Sequence, residues 1–104
     1  MTNSAHKISI KHTFRNTEST DAIKNYANEK LENCLRKFVH HDTEAHVVHS
    51  VEKNRHIVEV AFHTDGADFV CKEETENLYA SIDSAVKIIS QQLRKHKERM
   101  TAHH

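Results

Sequence analysis

Residues 55–72, RHIVEVAFHTDGADFVCK, alternate apolar and polar side chains on both sides of the dipeptide Asp65-Gly66. Alternation with a period of two is typical of a half-buried β-strand, because successive side chains point to opposite faces. Asp-Gly between two such runs indicates a hairpin, since glycine readily adopts the positive φ that a two-residue turn requires. The stretch therefore predicts two antiparallel strands, at residues 55–64 and about 68–72.

Two more alternating segments precede this hairpin in the sequence. Residues 44–52 end at a tight Lys53-Asn54 turn and are predicted to pair with the strand that follows. Residues 7–14 form the second segment, with Ile8 and Ile10 on one side. Together these segments predict four strands.

Two other segments have the three-to-four apolar spacing of helices that bury one face. The first covers about residues 20–39 and begins at Thr20, a typical N-cap residue. The second covers about residues 77–100, and the acids Glu73 and Glu74 before it are expected to lie at its N-terminus. The order β-α-β-β-β-α predicts an α+β fold: one domain over residues 1–104, a four-stranded sheet with both helices packed on one face.

The histidines and cysteines do not form a metal-binding pattern, although the chain has 11 His and 2 Cys. His46 and His49 are three apart on a predicted strand and point to opposite faces, whereas zinc needs three or four converging ligands. His49, Cys34 and Cys71 occupy apolar-face positions and are expected to be buried. We therefore expect no metal site and no cofactor.

Composition excludes several classes of function. One Gly and no Pro rule out a glycine-rich phosphate loop or a dinucleotide fingerprint. No apolar run approaches the ~20 residues that span a bilayer, and the N-terminus does not resemble a signal peptide. No nucleophile with an activating base is evident, so the sequence predicts a cytoplasmic protein that is not an enzyme and does not bind membranes.

Charge is unevenly distributed although Lys plus Arg and Asp plus Glu both total 15. Residues 59–83 contain seven acids and one base, whereas residues 87–100 contain five bases and one acid. Basic outer faces on two neighbouring helices suit a phosphate backbone, which is bound through charge rather than base reading. The candidate RNA-binding residues are Lys24, Lys30, Lys87, Arg94, Lys95, Lys97 and Arg99.

Residues 76–83, ENLYASID, and residues 91–97, QQLRKHK, resemble the signature of the ribosome hibernation-promoting factor and ribosome-associated inhibitor family, also called sigma-54 modulation proteins. The resemblance extends over essentially the whole chain. It implies a non-enzymatic protein that binds 16S rRNA in the decoding channel of the 30S subunit and the 70S ribosome, overlapping the mRNA and tRNA positions. The length resembles the short form, which favours paired 100S ribosomes.

The resemblance also assigns roles by position. It matches Lys24, Lys30, Lys95 and Lys97 to basic family positions and places Tyr79 and Asp83 in the motif itself. Lys87, Arg94 and Arg99 are candidates because of their helical face alone.

Three positions depart from the family pattern. Asn77 replaces the usual acid, Ile88 the usual Lys and Gln91 the usual Arg, and the loss of two cations is expected to weaken RNA binding. The alternative is a diverged paralogue that acts as a protein-interaction or weakly homodimeric module. Its contact surface would be the sheet face with Val48, Ile57 and Val70.

Overall fold

Residues 6–101 are described by the computed structural model, and they form a four-stranded sheet with two helices on one face. The strands are β1 (Ile8–Arg15), β2 (Thr43–Glu52), β3 (Arg55–Thr64) and β4 (Ala67–Thr75), and the helices are α1 (Asp21–Arg36) and α2 (Leu78–Thr101). The sheet order is β1-β2-β3-β4, with β1 parallel to β2 and the other pairs antiparallel. The predicted α+β fold and element order are confirmed. Residues 1–5 and 102–104 of the predicted domain lie outside the described residues.

Both hairpins close through two-residue turns, with one residue of the first turn and both residues of the second in the left-handed region. Lys53 has φ 58°, Asp65 has φ 52° and Gly66 has φ 75°. Two successive residues with positive φ match the twist of the flanking strands, which is why Asp-Gly is favoured there. The predicted turn at Asp65-Gly66 is confirmed.

The strand β4 is longer than predicted, and this changes the interpretation of two acids. Glu73 and Glu74 pair with Val58 and Ile57 of β3 rather than leading into a helix. The first turn of α2 has no acidic residue, so the expected placement of these acids at its N-terminus is wrong. Backbone pairing with β3 extends the strand through residues that lack apolar alternation.

The helix α2 begins at an asparagine cap instead. The Oδ1 of Asn77 accepts a hydrogen bond from the backbone N–H of Ala80 at 2.8 Å. One turn later the buried Ser81 donates its hydroxyl to the carbonyl of His56 at 2.6 Å. These bonds fix the start of α2 against β3.

The helix α1 begins where predicted and ends three residues early. The hydroxyl of Thr20 accepts from the backbone N–H of Ile23 at 3.2 Å, which confirms the predicted N-cap. The helix ends at Arg36, and a turn follows in which the backbone N–H of Val39 donates to the carbonyl of Leu35 at 2.9 Å. This turn brings Val39 into the core, where it is 5% exposed.

The core lies between the sheet and the two helices. Leu31 of α1 and Ile82 and Ile89 of α2 are at most 1% exposed and belong to one cluster with Val47 and Val60 of the sheet. Cys34 and Cys71 are also buried in this layer, as predicted. Both helices therefore pack on the same face of the sheet.

A histidine pair lies at the junction of β1, β2 and α1. His49 has no exposed surface and stacks on Phe14 with ring centroids 4.4 Å apart. Its Nε2 is 3.0 Å from Nδ1 of His12, whose Nε2 is 2.8 Å from Oδ1 of Asn28. The predicted burial of His49 is confirmed.

The opposite face of the sheet is mainly polar. Ion pairs join Lys11 to Glu44 at 2.8 Å and Arg55 to Glu74 at 2.9 Å. The apolar surface predicted here is smaller than expected, because Ile57 is only 5% exposed.

Ile57 shares a shallow, polar depression with Val48, Arg15 and Lys72. Val48 is half-buried, which leaves Val70, 55% exposed, as the apolar contribution of this face among the three predicted residues.

Candidate nucleic-acid interface

The two helices pack side by side in parallel, and the line between them on the surface away from the sheet is called the groove. Near the start of both helices, Tyr26 of α1 and Tyr79 of α2 meet edge to face with ring centroids 5.0 Å apart. Near their ends, Phe38, which follows α1, and Met100 of α2 line the same pocket. The groove is bordered by Tyr26, Lys30, Asn33 and Lys37 on the α1 side and by Asp83, Lys87, Ser90, Arg94 and Lys97 on the α2 side.

One hydrogen bond between the helices fixes the start of the groove. The hydroxyl of Tyr26 donates to Oδ1 of Asp83 at 2.6 Å, and this bond raises the pKa of Tyr26, so the phenol stays a proton donor. The ammonium of Lys30 lies 5.4 Å from the centroid of the same ring, within the range of a cation–π contact. Lys30 is thereby held on the α1 side of the groove.

A row of residues continues from Asp83 along the groove side of α2. Residues three and four apart share a helix face, so the row that begins at Asp83 continues through Lys87, Ser90, Arg94 and Lys97. Ser90 lies near enough to the Cys34 thiol of α1 to act on its pKa, and Lys97 lines a pocket with Phe38. The row therefore lies beside α1 at Asp83, Ser90 and Lys97, whereas Arg94 also borders a depression on the outer side of α2.

A matching row starts at Tyr26 on α1. The same spacing leads from Tyr26 through Lys30 and Asn33 to Lys37, which caps the end of the helix. The sequence placed Lys37 on the basic outer face of the first helix, but neither Lys37 nor Tyr26 is among the seven candidates. The signal that could have found them is their four-three-four spacing with Lys30.

The remaining candidates lie on the flanks of the helix layer. Lys95 and Arg99 follow Ile88 and Gln92 on the side of α2 above β4, where the Gln92 amide donates to the carbonyl of Val70 at 3.4 Å. Lys24 lies on the β1 side of α1, where its charge adds to burial in lowering the pKa of His12. The seven candidates thus form a groove group, Lys30, Lys87, Arg94 and Lys97, and a flank group, Lys24, Lys95 and Arg99.

Cations of the groove and cations of the sheet have different surroundings. Lys11 and Arg55 on the sheet are held in ion pairs with neighbouring acids. Within residues 6–101, no carboxylate lies within ion-pair distance of Lys30, Lys87 or Arg94. Those three side chains can approach an external anion without first breaking an ion pair.

Metal binding and membrane insertion have no counterpart in the described residues. No cluster of three or more His, Cys, Asp or Glu side chains between residues 6 and 101 could hold a metal ion. Neither helix in that range is long and apolar enough to cross a membrane.

Comparison with known proteins places this arrangement in a family. The model of the family described as "Sigma 54 modulation protein / S30EA ribosomal protein" matches residues 10–101. The chain belongs to this family. The sequence resemblance is thereby confirmed, and the motif residues Tyr79 and Asp83 lie at the Tyr26 contact that opens the groove.

Curated relatives of the S30EA family chain are named for ribosome hibernation. The ribosome hibernation promoting factor of Azotobacter vinelandii is 38% identical over 80 residues, which is 77% of this chain and 74% of that protein. The factor of the same name from Escherichia coli K12 is 29% identical over 91 residues, 88% of this chain and 95% of that one.

Solved structures agree with the fold of this S30EA family chain. The N-terminal domain of Thermus thermophilus Protein Y superposes with a TM-score of 0.74 at 29% identity, covering 89% of this chain and 99% of that domain. A ribosomal subunit interface protein from Coxiella burnetii gives a TM-score of 0.77 at 20% identity, covering 86% and 98%. The second similarity concerns the fold alone.

Proposed function

We propose that this S30EA family protein is a ribosome hibernation factor. It binds 16S rRNA in the decoding channel of the 30S subunit and of the 70S ribosome, blocks mRNA and tRNA binding, and favours 100S dimers. It acts as a binding protein in the cytoplasm, without catalysis. The names of its relatives support the coarse function, and the groove supports a contact with a phosphate backbone.

The observation that carries the proposal is the pair of cationic rows along the groove. Lys30 and Lys37 on α1 face Lys87, Arg94 and Lys97 on α2. Each phosphate that such a cation neutralises releases counterions and adds to affinity, so binding has a steep dependence on salt. Lys24, Lys95 and Arg99 extend the positive field over the flanks of the helix layer.

Ile88 in place of the usual Lys and Gln91 in place of the usual Arg leave the groove unchanged. Ile88 and Gln91 line a depression on the outer side of α2 together with Lys95 and Arg94. Two cations are missing there, while Lys87 lies on the groove side of α2 and Arg94 lies between the groove and this depression. The chain therefore retains the charges that the proposal needs.

The first test is co-sedimentation of the purified protein with 30S subunits and 70S ribosomes at two salt concentrations, with the 100S fraction recorded. Salt-sensitive binding with a rise in 100S supports the full proposal. Binding without a rise in 100S restricts the function to blocking the decoding channel. A salt-insensitive dimer that does not bind ribosomes favours the predicted protein-interaction module instead.

Two double variants of α2 separate the groove from the flank. The groove pair Lys87→Glu with Arg94→Glu is expected to abolish most binding and to lower the salt slope by about 2, because two phosphate contacts are lost. The flank pair Lys95→Glu with Arg99→Glu makes the same charge change on the same helix and is expected to weaken binding less. Equal losses in the two pairs would contradict a groove-centred contact.

A further inference from the structure

The groove ends in a pocket of about 170 Å³ between the C-terminal parts of the two helices and the β3–β4 turn. Phe38, Leu93 and Met100 form its apolar walls. Met100 is 54% exposed on a helix whose other surface residues are mainly polar. The pocket therefore leaves apolar surface open to solvent at the end of a cationic groove.

Polar groups of both signs lie around these apolar walls. Asp65 contributes a carboxylate from the β3–β4 turn, and Lys97 belongs to both the pocket lining and the groove row. His96 also lines the pocket, and its Nε2 is buried without a hydrogen-bond partner within the described residues. A buried polar atom without a partner carries a desolvation cost, and a turn of the imidazole toward a ligand in the pocket would offset it.

We propose that this pocket receives one unstacked nucleobase with an exocyclic amino group, from the RNA whose phosphates lie along the groove. The inference rests on the proposed function and names the feature of the RNA that the end of the groove recognises. Phosphate contacts alone position an RNA, whereas a base contact adds selectivity.

The size and the walls of the pocket fit a single base. Sites for drug-sized ligands start at roughly 300 Å³, so this smaller volume suits one ring system. Unstacked bases in RNA pack on aromatic and apolar side chains, and the ring of Phe38 offers such a surface. Lys97, which lines the same pocket, adds positive charge near the phosphate of the same nucleotide.

The polar groups select among the bases. The carboxylate of Asp65 accepts hydrogen bonds from an exocyclic amine, as acidic side chains do from cytosine N4. An N–H of His96 can donate to the adjacent ring nitrogen or carbonyl oxygen. Cytosine, adenine and guanine each have an exocyclic amine for Asp65 beside a hydrogen-bond acceptor for His96. Uracil has no exocyclic amine, and its one ring N–H lies between two carbonyl oxygens that would repel the carboxylate.

Fluorescence anisotropy with labelled hexacytidylate and hexauridylate at low salt tests this proposal on the full chain. The unmodified protein is expected to bind the cytidine hexamer about fivefold more tightly. Asp65→Asn keeps a residue that tolerates positive φ and should reduce this preference, because a neutral amide oxygen is a weaker acceptor than a carboxylate. Asp68→Asn makes the same charge change in the same hairpin and should retain the preference.

A second pair of variants tests the apolar wall. Met100→Ala is expected to weaken hexacytidylate binding about threefold or more. Val70→Ala is the matched control, since Val70 is 55% exposed on the opposite face. Neither exposed side chain is needed for the core, so both variants should fold.

The outcomes separate this proposal from the proposed function. Equal affinity for the two hexamers, binding of neither, or equal effects of Met100→Ala and Val70→Ala would overturn the base pocket. None of these results bears on ribosome co-sedimentation, whose failure would overturn the proposed function itself. A smaller cytidine preference in Asp65→Asn but not in Asp68→Asn, with ribosome binding intact, supports both the base pocket and the proposed function.

Discussion

His49 lies between Phe14 and His12 with no exposed surface, and its environment accommodates only the neutral imidazole. Because Oδ1 of Asn28 accepts from Nε2 of His12, Nδ1 of His12 must accept from Nε2–H of His49. The Nδ1 of His49 then keeps a bare lone pair, which has no partner within the described residues. A proton added there would be a buried donor without an acceptor.

The stability of the protein should therefore fall on acidification. Burial, with a smaller contribution from His12, lowers the pKa of His49 to about 4, from 6.5. As pH falls from 6.5 to 4, the unfolded chain binds this proton and the folded chain does not, so the free energy of unfolding decreases by up to about 3 kcal/mol. Chemical denaturation at a series of pH values measures the decrease.

A substitution distinguishes His49 from the other histidines in this experiment. His49→Asn should reduce the dependence between pH 6.5 and 4, whatever its effect on stability at neutral pH. Part of the dependence remains because the pKa values of His12, Glu44 and Glu74 are also lowered. The control is His63→Asn, because His63 is exposed on β3. An unchanged slope in His49→Asn would contradict the assignment.

The two cysteines should be unreactive in the folded protein. Burial raises the pKa of Cys34, and burial with the charge of Glu73 raises the pKa of Cys71 to about 11. The thiolate is the reactive form, so alkylation by iodoacetamide near pH 8 should be slow in the native state and fast in denaturant. Rapid modification without denaturant would show that this layer opens readily.

Sequence reasoning predicted the burial of His49, Cys34 and Cys71 because each occupies an apolar-face position in an alternating or helical segment. It could not predict the hydrogen bond from His49 to His12. That contact joins strands paired in parallel, and their register depends on tertiary packing. The role of Tyr26 was missed for the same reason, since its partner Asp83 is distant in sequence.

At the scale of elements, the start of α2 depends on the cap at Asn77. Asn77→Ala should cost about 1 kcal/mol in the free energy of unfolding, because the N–H of Ala80 loses its acceptor. Asn77→Asp keeps an acceptor and adds a negative charge to a helix whose first turn has no acid. We expect it to be as stable as the parent chain or slightly more stable.

Thermal denaturation of the two variants checks this expectation. Thr20→Ala provides a matched comparison, since Thr20 caps α1 by the same kind of bond. Equal stability of Asn77→Ala and Asn77→Asp would show that the cap contributes little.

Element types were predictable from sequence, whereas several boundaries were not. The hairpins and helices follow from period-two and three-to-four spacing and from Asp65-Gly66. The end of β4 did not follow, because Glu73 and Glu74 have no strand-like alternation and are held by pairing with β3. The end of α1 was misplaced because Val39 keeps the helical apolar spacing although the chain has already turned.

At the scale of the whole molecule, the many histidines and the zero net charge make RNA binding depend on pH. The chain has equal numbers of acidic and basic residues and 11 histidines. An imidazole of ordinary pKa gains a proton as pH falls through about 6.5, which adds positive charge to a protein that has none in excess. His49 and His12, whose pKa values are lowered, contribute less. Affinity for ribosomes should therefore rise between pH 7.5 and 6.5 at constant salt.

Co-sedimentation with 30S subunits at the two pH values measures this effect. The groove pair Lys87→Glu with Arg94→Glu should remain weak at both values, since scattered histidines do not replace aligned cations. Affinity that is independent of pH in the parent chain would mean that the histidines lie away from the bound RNA.

The basic surface itself was only partly predictable. Sequence identified the cations of both helices, but the division into groove and flank groups required the parallel packing of α1 on α2. Lys95 and Lys97 illustrate this limit, because they are two residues apart in the same motif and lie on different sides of the helix.

The parallel pairing of β1 with β2 also has a consequence for the order of assembly. The strands β2, β3 and β4 follow one another through two-residue turns, so their contacts are local and close quickly. Ile8 pairs with Thr43 only after a long loop containing α1 has closed. We expect β1 and α1 to dock last during folding and to detach first when the protein is acidified, in the step that covers or uncovers His49.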